Sequence, residues 1–118
     1  MTFIRLFIFA LGCLLMACAA PPQVSAVPET VEIYKPDLSR QCEVDSGVPL
    51  SDMQKTLTDA GILVLSSRRD HDCFFRPAFC GGGTSNINVF VVSSDQLTAA
   101  QALGFIPMSK LQARCATP

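Results

Sequence analysis

The 118-residue chain has no tryptophan, one histidine and one tyrosine, and only 16% of its residues are charged. A lone histidine leaves little material for a general base or an imidazole-rich metal centre. Basic excess is missing too, since nine Lys and Arg face ten Asp and Glu for a formal net charge of −1. That balance argues against nucleic acid, because counterion release on neutralising phosphates supplies most non-specific affinity. No Cys-x-x-Cys is present, so a thioredoxin-like redox centre has no support. The apolar stretch Leu6 to Ala17 is shorter than the roughly 17–25 residues a membrane-crossing helix needs.

What the chain does have is six cysteines and an export-like beginning. Arg5 is the only charged side chain ahead of Glu29, and the apolar stretch follows it directly, the pattern of a signal peptide. The stretch ends in Leu15-Met16-Ala17-Cys18, a cysteine after a small residue with a large aliphatic side chain three positions before it. This resembles the lipobox of bacterial lipoprotein signal peptides. The resemblance implies cleavage before Cys18, a diacylglycerol on its sulfur and an acyl chain of the palmitate class on its new amino group. Several chains together hold a protein on a membrane far more firmly than one. Cys13 is a poorer match, because Ala10-Leu11-Gly12 offers no equivalent of Leu15 and cleavage there would halve the apolar stretch. Ala19 stands where enteric lipoproteins retained at the inner membrane carry aspartate, so the resemblance implies the outer membrane, with the domain facing the periplasm.

On this reading residues 1–17 are the leader, 18–39 an acylated, proline-rich tether and 40–118 one small domain. A domain that small is only marginally stable on apolar burial alone. Cys42, Cys73, Cys80 and Cys115 lie in an exported chain and are read as two disulfide staples.

Leu50, Met53, Leu57 and Ala60 recur at helical spacing and predict a helix over 49–60, with Ser51 and Gln54 as a capping box and Gly61 as its stop. Ile62-Leu63-Val64-Leu65 reads as a buried strand. Residues 86–92 are the clearest strand, alternating at Ile87, Val89 and Val91. A second helix spans 95–103, with Ser93 and Gln96 repeating the capping pattern and Gly104 ending it. Laying Gly61 on Gly104 also aligns Ser51-Asp52 with Ser94-Asp95, which suggests a duplicated helix–glycine–strand unit. Thr30 to Tyr34 alternates as a short strand would, and Pro107 confines any strand over 105–108 to a sheet edge.

Arg69 to Ser85 needs an internal organiser, because so long a connection is rare in a compact domain. If 73–79 is a third strand, its ends lie about 23 Å apart at about 3.3 Å per residue. Cys42–Cys73 and Cys80–Cys115 are then the expected pairs. A loop closed by Cys73–Cys80, with Cys42–Cys115, is the alternative, and a disulfide needs Cα atoms within roughly 7 Å. The strand is preferred for Phe74 and Phe75, against the objection of Pro77.

The fold expected is therefore α+β, a small antiparallel sheet of two or three strands covered by two helices and stapled by disulfides. The alternative is a ferredoxin-like β-α-β-β-α-β arrangement with the strands at 30–34 and 105–108 as its outer members.

Nothing specific marks a reaction. Asp70-His71-Asp72-Cys73 has ligand types for zinc or copper, but thiolates are scarce in an oxidising space. His71 and Asp72 are sequence neighbours, which rarely face each other in a strand or turn, and no nucleophile elbow accompanies them. Gly81-Gly82-Gly83-Thr84 leads into a strand, whereas phosphate cradles lead into helices. No cofactor or metal is expected. Arg69, Phe74, Phe75 and Arg76, with Arg68 and Phe79 nearby, form the candidate contact patch, because arginine and aromatic residues dominate interface energetics. The expectation is a non-catalytic envelope module contacting an envelope protein or the cell wall. Its rival is a redox or metal protein using the cysteines.

Overall fold

The computed structural model describes Pro22 and residues 26–117; the leader and Cys18 lie outside the described residues. Strands β1 (Thr30–Pro36), β2 (Val64–His71), β3 (Asn86–Ser93) and β4 (Ile106–Pro107) make one antiparallel sheet in the order β2-β3-β1-β4. Helices α1 (Leu50–Asp59), α2 (Leu97–Ala102) and α3 (Met108–Cys115) accompany it, α2 entered through a 3-10 turn at Ser94–Gln96. The α+β class and the antiparallel sheet are as expected. The sheet has four strands instead of two or three, and the described residues form three helices instead of two.

Residues 73–79 are not one of the four; β1 and the short edge strand β4 are the additions, and β1 comes from the stretch read as tether. Its alternating residues pair with β3 over the whole of β1, from Thr30↔Ser93 to Pro36↔Ile87, so residues 30–36 are central sheet. Element order through β4 is β-α-β-β-α-β, as in the ferredoxin-like alternative; the edges are β2 and β4, so of the two strands expected outside only β4 lies at an edge and β1 is an inner strand. Pro107 sits in that edge strand, where a missing N–H costs no internal ladder bond.

Both faces of β3 are covered, which explains its nearly continuous apolar sequence. Phe90 and Val92 face a core shared with Ile33, Met53, Leu57, Ile62, Ala100 and Phe105. Ile87 and Val89 face a second core with Tyr34 and Leu111, on which Phe74, Ile106 and Met108 pack. The third helix supplies this second cover. Met108 and Leu111 repeat at helical spacing, a signal overshadowed by Pro107.

Each of the first two helices stops the same way. Gly61 and Gly104 have φ of 80° and 85°. Around them Ala60, Gly61 and Ile62 donate to Leu57, Thr58 and Leu57 carbonyls, as Leu103, Gly104 and Phe105 donate to Ala100, Gln101 and Ala100. The glycine stops are as expected; the capping boxes are not. The α1 N-cap is Pro49, and neither Ser51 nor Ser93 makes a side-chain cap bond. Gln96 reaches out of its helix instead, accepting from the Leu63 N–H and donating to the Gly61 carbonyl. Nor is 62–65 a buried strand: Ile62 is buried, but Leu63 and Leu65 are exposed beside a register shift between Val64 and Ser66. A bulge there turns Leu65 out of the alternation.

Candidate functional site

The antiparallel registers put the end of β1, the end of β2 and the start of β3 at one end of the sheet, with Pro36 opposite Ile87 and His71 opposite Asn86. Two connections therefore meet there, residues 37–49 and 72–85. Few apolar side chains are buried in either, and polar bonds with two disulfides hold them together.

Those disulfides are Cys42–Cys80 and Cys73–Cys115. Neither expected pairing is present. Four cysteines allow three connectivities, and the interleaved one is found. The physical cause is that 73–79 is neither a sheet strand nor a self-closed loop. It has no regular secondary structure and delivers Cys80 to the 37–49 connection. Meanwhile α3 crosses the second sheet face and returns Cys115 to Cys73 just beyond β2.

Gln41 clamps the longer connection. Its Nε2 donates to the carbonyls of Pro77 and Gly83 at 3.1 Å each, and its Oε1 accepts from the Phe79 N–H at 3.1 Å. Beside it the backbone forms a short antiparallel pairing, with Gln41 N–H on the Gly82 carbonyl and Gly81 N–H on the Gln41 carbonyl. Gly82 packs closely on the Phe79 ring: a Cβ there would lie 2.9 Å from Cζ, so that exposed ring would have to swing aside. Within the glycine run it is Gly82 that lies against this ring.

Arg76 is the second clamp. Its Nη2 donates to Asp72 Oδ2 at 2.6 Å, Nε to the Thr84 carbonyl at 3.1 Å and Nη1 to the Phe74 carbonyl at 3.2 Å. A polar cluster lies below. The hydroxyls of Ser39 and Thr84 share a 2.6 Å bond, and Ser39 donates to Asp37 Oδ1 at 2.6 Å while accepting from Asn86 Nδ2 at 3.1 Å. Buried Asn88 ties the end of the first connection to the core by donating to the Val48 carbonyl. Among the described residues no buried side-chain nitrogen or oxygen lacks a partner.

The candidate patch is accordingly divided. Phe74 is half-buried beneath α3, with the Arg114 guanidinium 4.5 Å from its ring centroid. Arg76 is spent on its own loop. Arg68 spans the second sheet face to Glu32, and that hydrogen bond, helped by Asp70, raises its pKa further above the ordinary arginine value despite the opposing desolvation. Arg69 is exposed on the other face. Phe75 is 91% exposed and Phe79 59%. Of the residues expected to make contacts, Arg69 and Phe75 are displayed and Phe74 and Arg76 position the loop that displays Phe75.

His71 is exposed at the end of β2, and no group of three or more His, Cys, Asp or Glu among the described residues is placed to hold a metal ion. Sequence reading missed Gln41, Ser39 and Thr84, polar residues whose roles come from contacts across the two connections and leave no local pattern. No protein-family model matches this chain, nor does any curated protein or solved structure.

Proposed function

We propose that this chain is a lipid-anchored cell-envelope lipoprotein whose domain is a non-catalytic binding module. Cys18 carries the acyl chains, the residues between it and β1 are the tether, and the domain faces the periplasm from the outer membrane. Its partner is an envelope protein or the cell wall. The lipobox resemblance supports the anchor.

The observation that carries the binding reading is Phe75. A phenylalanine 91% exposed on a connection held by two disulfides, the Gln41 clamp and the Arg76 clamp is an aromatic anchor presented with its backbone already ordered. Such preorganisation lowers the entropy lost on association. Beside it, Gln41, Ala78 and Ser85 line a shallow depression into which a partner can fit.

A photo-crosslinking phenylalanine analogue at position 75, in cells, tests this reading. Crosslinks to an envelope protein or to the cell wall are expected from position 75 and not from exposed Thr98, near the opposite end of the sheet. Equal or absent crosslinking at the two positions counts against it. A thiol count on protein recovered from the periplasm is expected to find none free besides the lipidated sulfur, and two or more would favour the redox or metal alternative.

A further inference from the structure

The 37–49 connection encloses, with the end of β2, a cleft of about 340 Å³. Leu38, Cys42 and Asp45 all have positive φ, at 63°, 65° and 55°. Residues other than glycine seldom take that conformation, and it persists where the surroundings impose it. Here they do. Ser46 Oγ accepts from the Arg40 N–H and contacts the carbonyls of Arg40 and Glu43, and Cys42 is bonded to Cys80. Gly47 is pressed so close to the chain that a Cβ would sit 2.9 Å from the Asp37 carbonyl oxygen. The wall of the cleft is thus preformed.

Its charged side chains are solvent-accessible and, among the described residues, unpaired. Arg40, Arg69, Glu43 and Asp45 all line the cleft, yet none has an ion-pair partner within 4.0 Å among the described residues. Their side chains make no hydrogen bond among those residues either, whereas Asp37, Ser39, Ser46 and Thr84 are already engaged. Counting Asp37, three carboxylates face two guanidiniums, so a polyanion is repelled on balance. A ligand carrying one charge of each sign satisfies both sets, with its carboxylate on the guanidiniums and its ammonium on the free carboxylates. The volume lies at the small end of ligand sites, roughly 300–1,000 Å³.

We propose that this cleft binds a zwitterionic amino-acid end group, either a free amino acid or the end of a short peptide. Arg69 and Arg40 take the carboxylate, and Glu43 and Asp45 take the ammonium. The inference stands on the cleft alone and does not depend on the anchor or on Phe75.

Isothermal titration and amide chemical-shift mapping of the full-length chain, disulfides intact in detergent micelles, provide the test. The probes are alanine, alanyl-alanine, N-acetyl-alanyl-alanine, alanyl-alanine amide and inorganic phosphate. A zwitterion should shift the amides of 40–47 and 69, and masking either charged end should weaken binding roughly tenfold or more. Arg69→Ala should erase the difference between the free and amidated carboxylate, and Glu43→Gln should reduce that between the free and acetylated amine. Tighter binding of the dipeptide than of alanine assigns the site to peptide ends, and equal binding assigns it to free amino acids. The proposal is overturned if no probe shifts these amides, if the masked probes bind as well as the zwitterions, or if phosphate binds more tightly than either.

Discussion

The two ends of the sheet are stabilised by different physics. At the end where α2 begins, Leu57, Phe90, Val92 and Ala100 are buried in a contiguous apolar core, and Phe90 meets Phe105 edge to face with centroids 5.7 Å apart. At the other end the connections themselves bury little beyond half-buried Phe74, and disulfides with side-chain clamps supplement a smaller apolar core. The first end is a scaffold whose sequence must pack; the second is a display surface whose connections are held by disulfides and clamps over the smaller core of Ile87, Val89, Tyr34 and Leu111.

The largest effect that separates the ends is Phe90→Ala, expected to cost about 3–5 kcal/mol as a buried large-to-small change. Thermal or urea unfolding measures it, and a loss below about 1 kcal/mol would mean that the core is not where the structure puts it.

Opening Cys42–Cys80 by a double serine substitution comes next. It closes a separation of 38 residues, and the chain-entropy relation gives about 4 kcal/mol for a loop of that order. The loss should also be local. Amides in 37–49 and 76–85 should lose hydrogen-exchange protection ahead of those in β3, and uniform loss would erase the distinction between the two ends.

Arg76→Ala is smaller, about 1–3 kcal/mol, because it strands the Asp72 carboxylate, whose side chain is only 7% exposed. Arg69→Ala, at an exposed position without such bonds, should fall within about 0.5 kcal/mol of the parent. If the two cost the same in denaturant titrations, Arg76 is not a clamp.

Legibility in the sequence follows the same division. The α1 and β3 patterns were readable because burial imposes a period on the side chains, and the stops at Gly61 and Gly104 because left-handed backbone selects glycine. Most of β2 carries no alternation, since Ser66 to Arg69 are all exposed on an edge. Strand β1 was only faintly readable, hidden among prolines, although it became central. The capping boxes failed because a motif of residue types does not fix where a side chain bonds; Gln96 found better partners across the fold. In the candidate site, Arg69 and Phe75 could be named from residue type, but which neighbours would be spent on structure depended on contacts such as Gln41 with Phe79, remote in sequence. The disulfide pairing is illegible for one further reason: it depends on α3, whose signal Pro107 overshadows, to return Cys115 to the end of β2.

The smallest expected effect is Phe75→Ala, under about 0.5 kcal/mol on stability, because its ring buries almost nothing. A cost near that of Phe90→Ala would place the ring in a core and remove it from the display surface.

Disulfide connectivity tests the central claim most directly. Digestion of the unreduced protein with trypsin and chymotrypsin separates Cys73 from Cys80 by cleavage after Phe74 and Phe75, and mass spectrometry identifies the linked peptides. The account predicts a peptide containing Cys42 joined to one containing Cys80, and a peptide containing Cys73 joined to the one bearing Cys115. Recovery of Cys42–Cys73 with Cys80–Cys115, or of Cys73–Cys80, would contradict it.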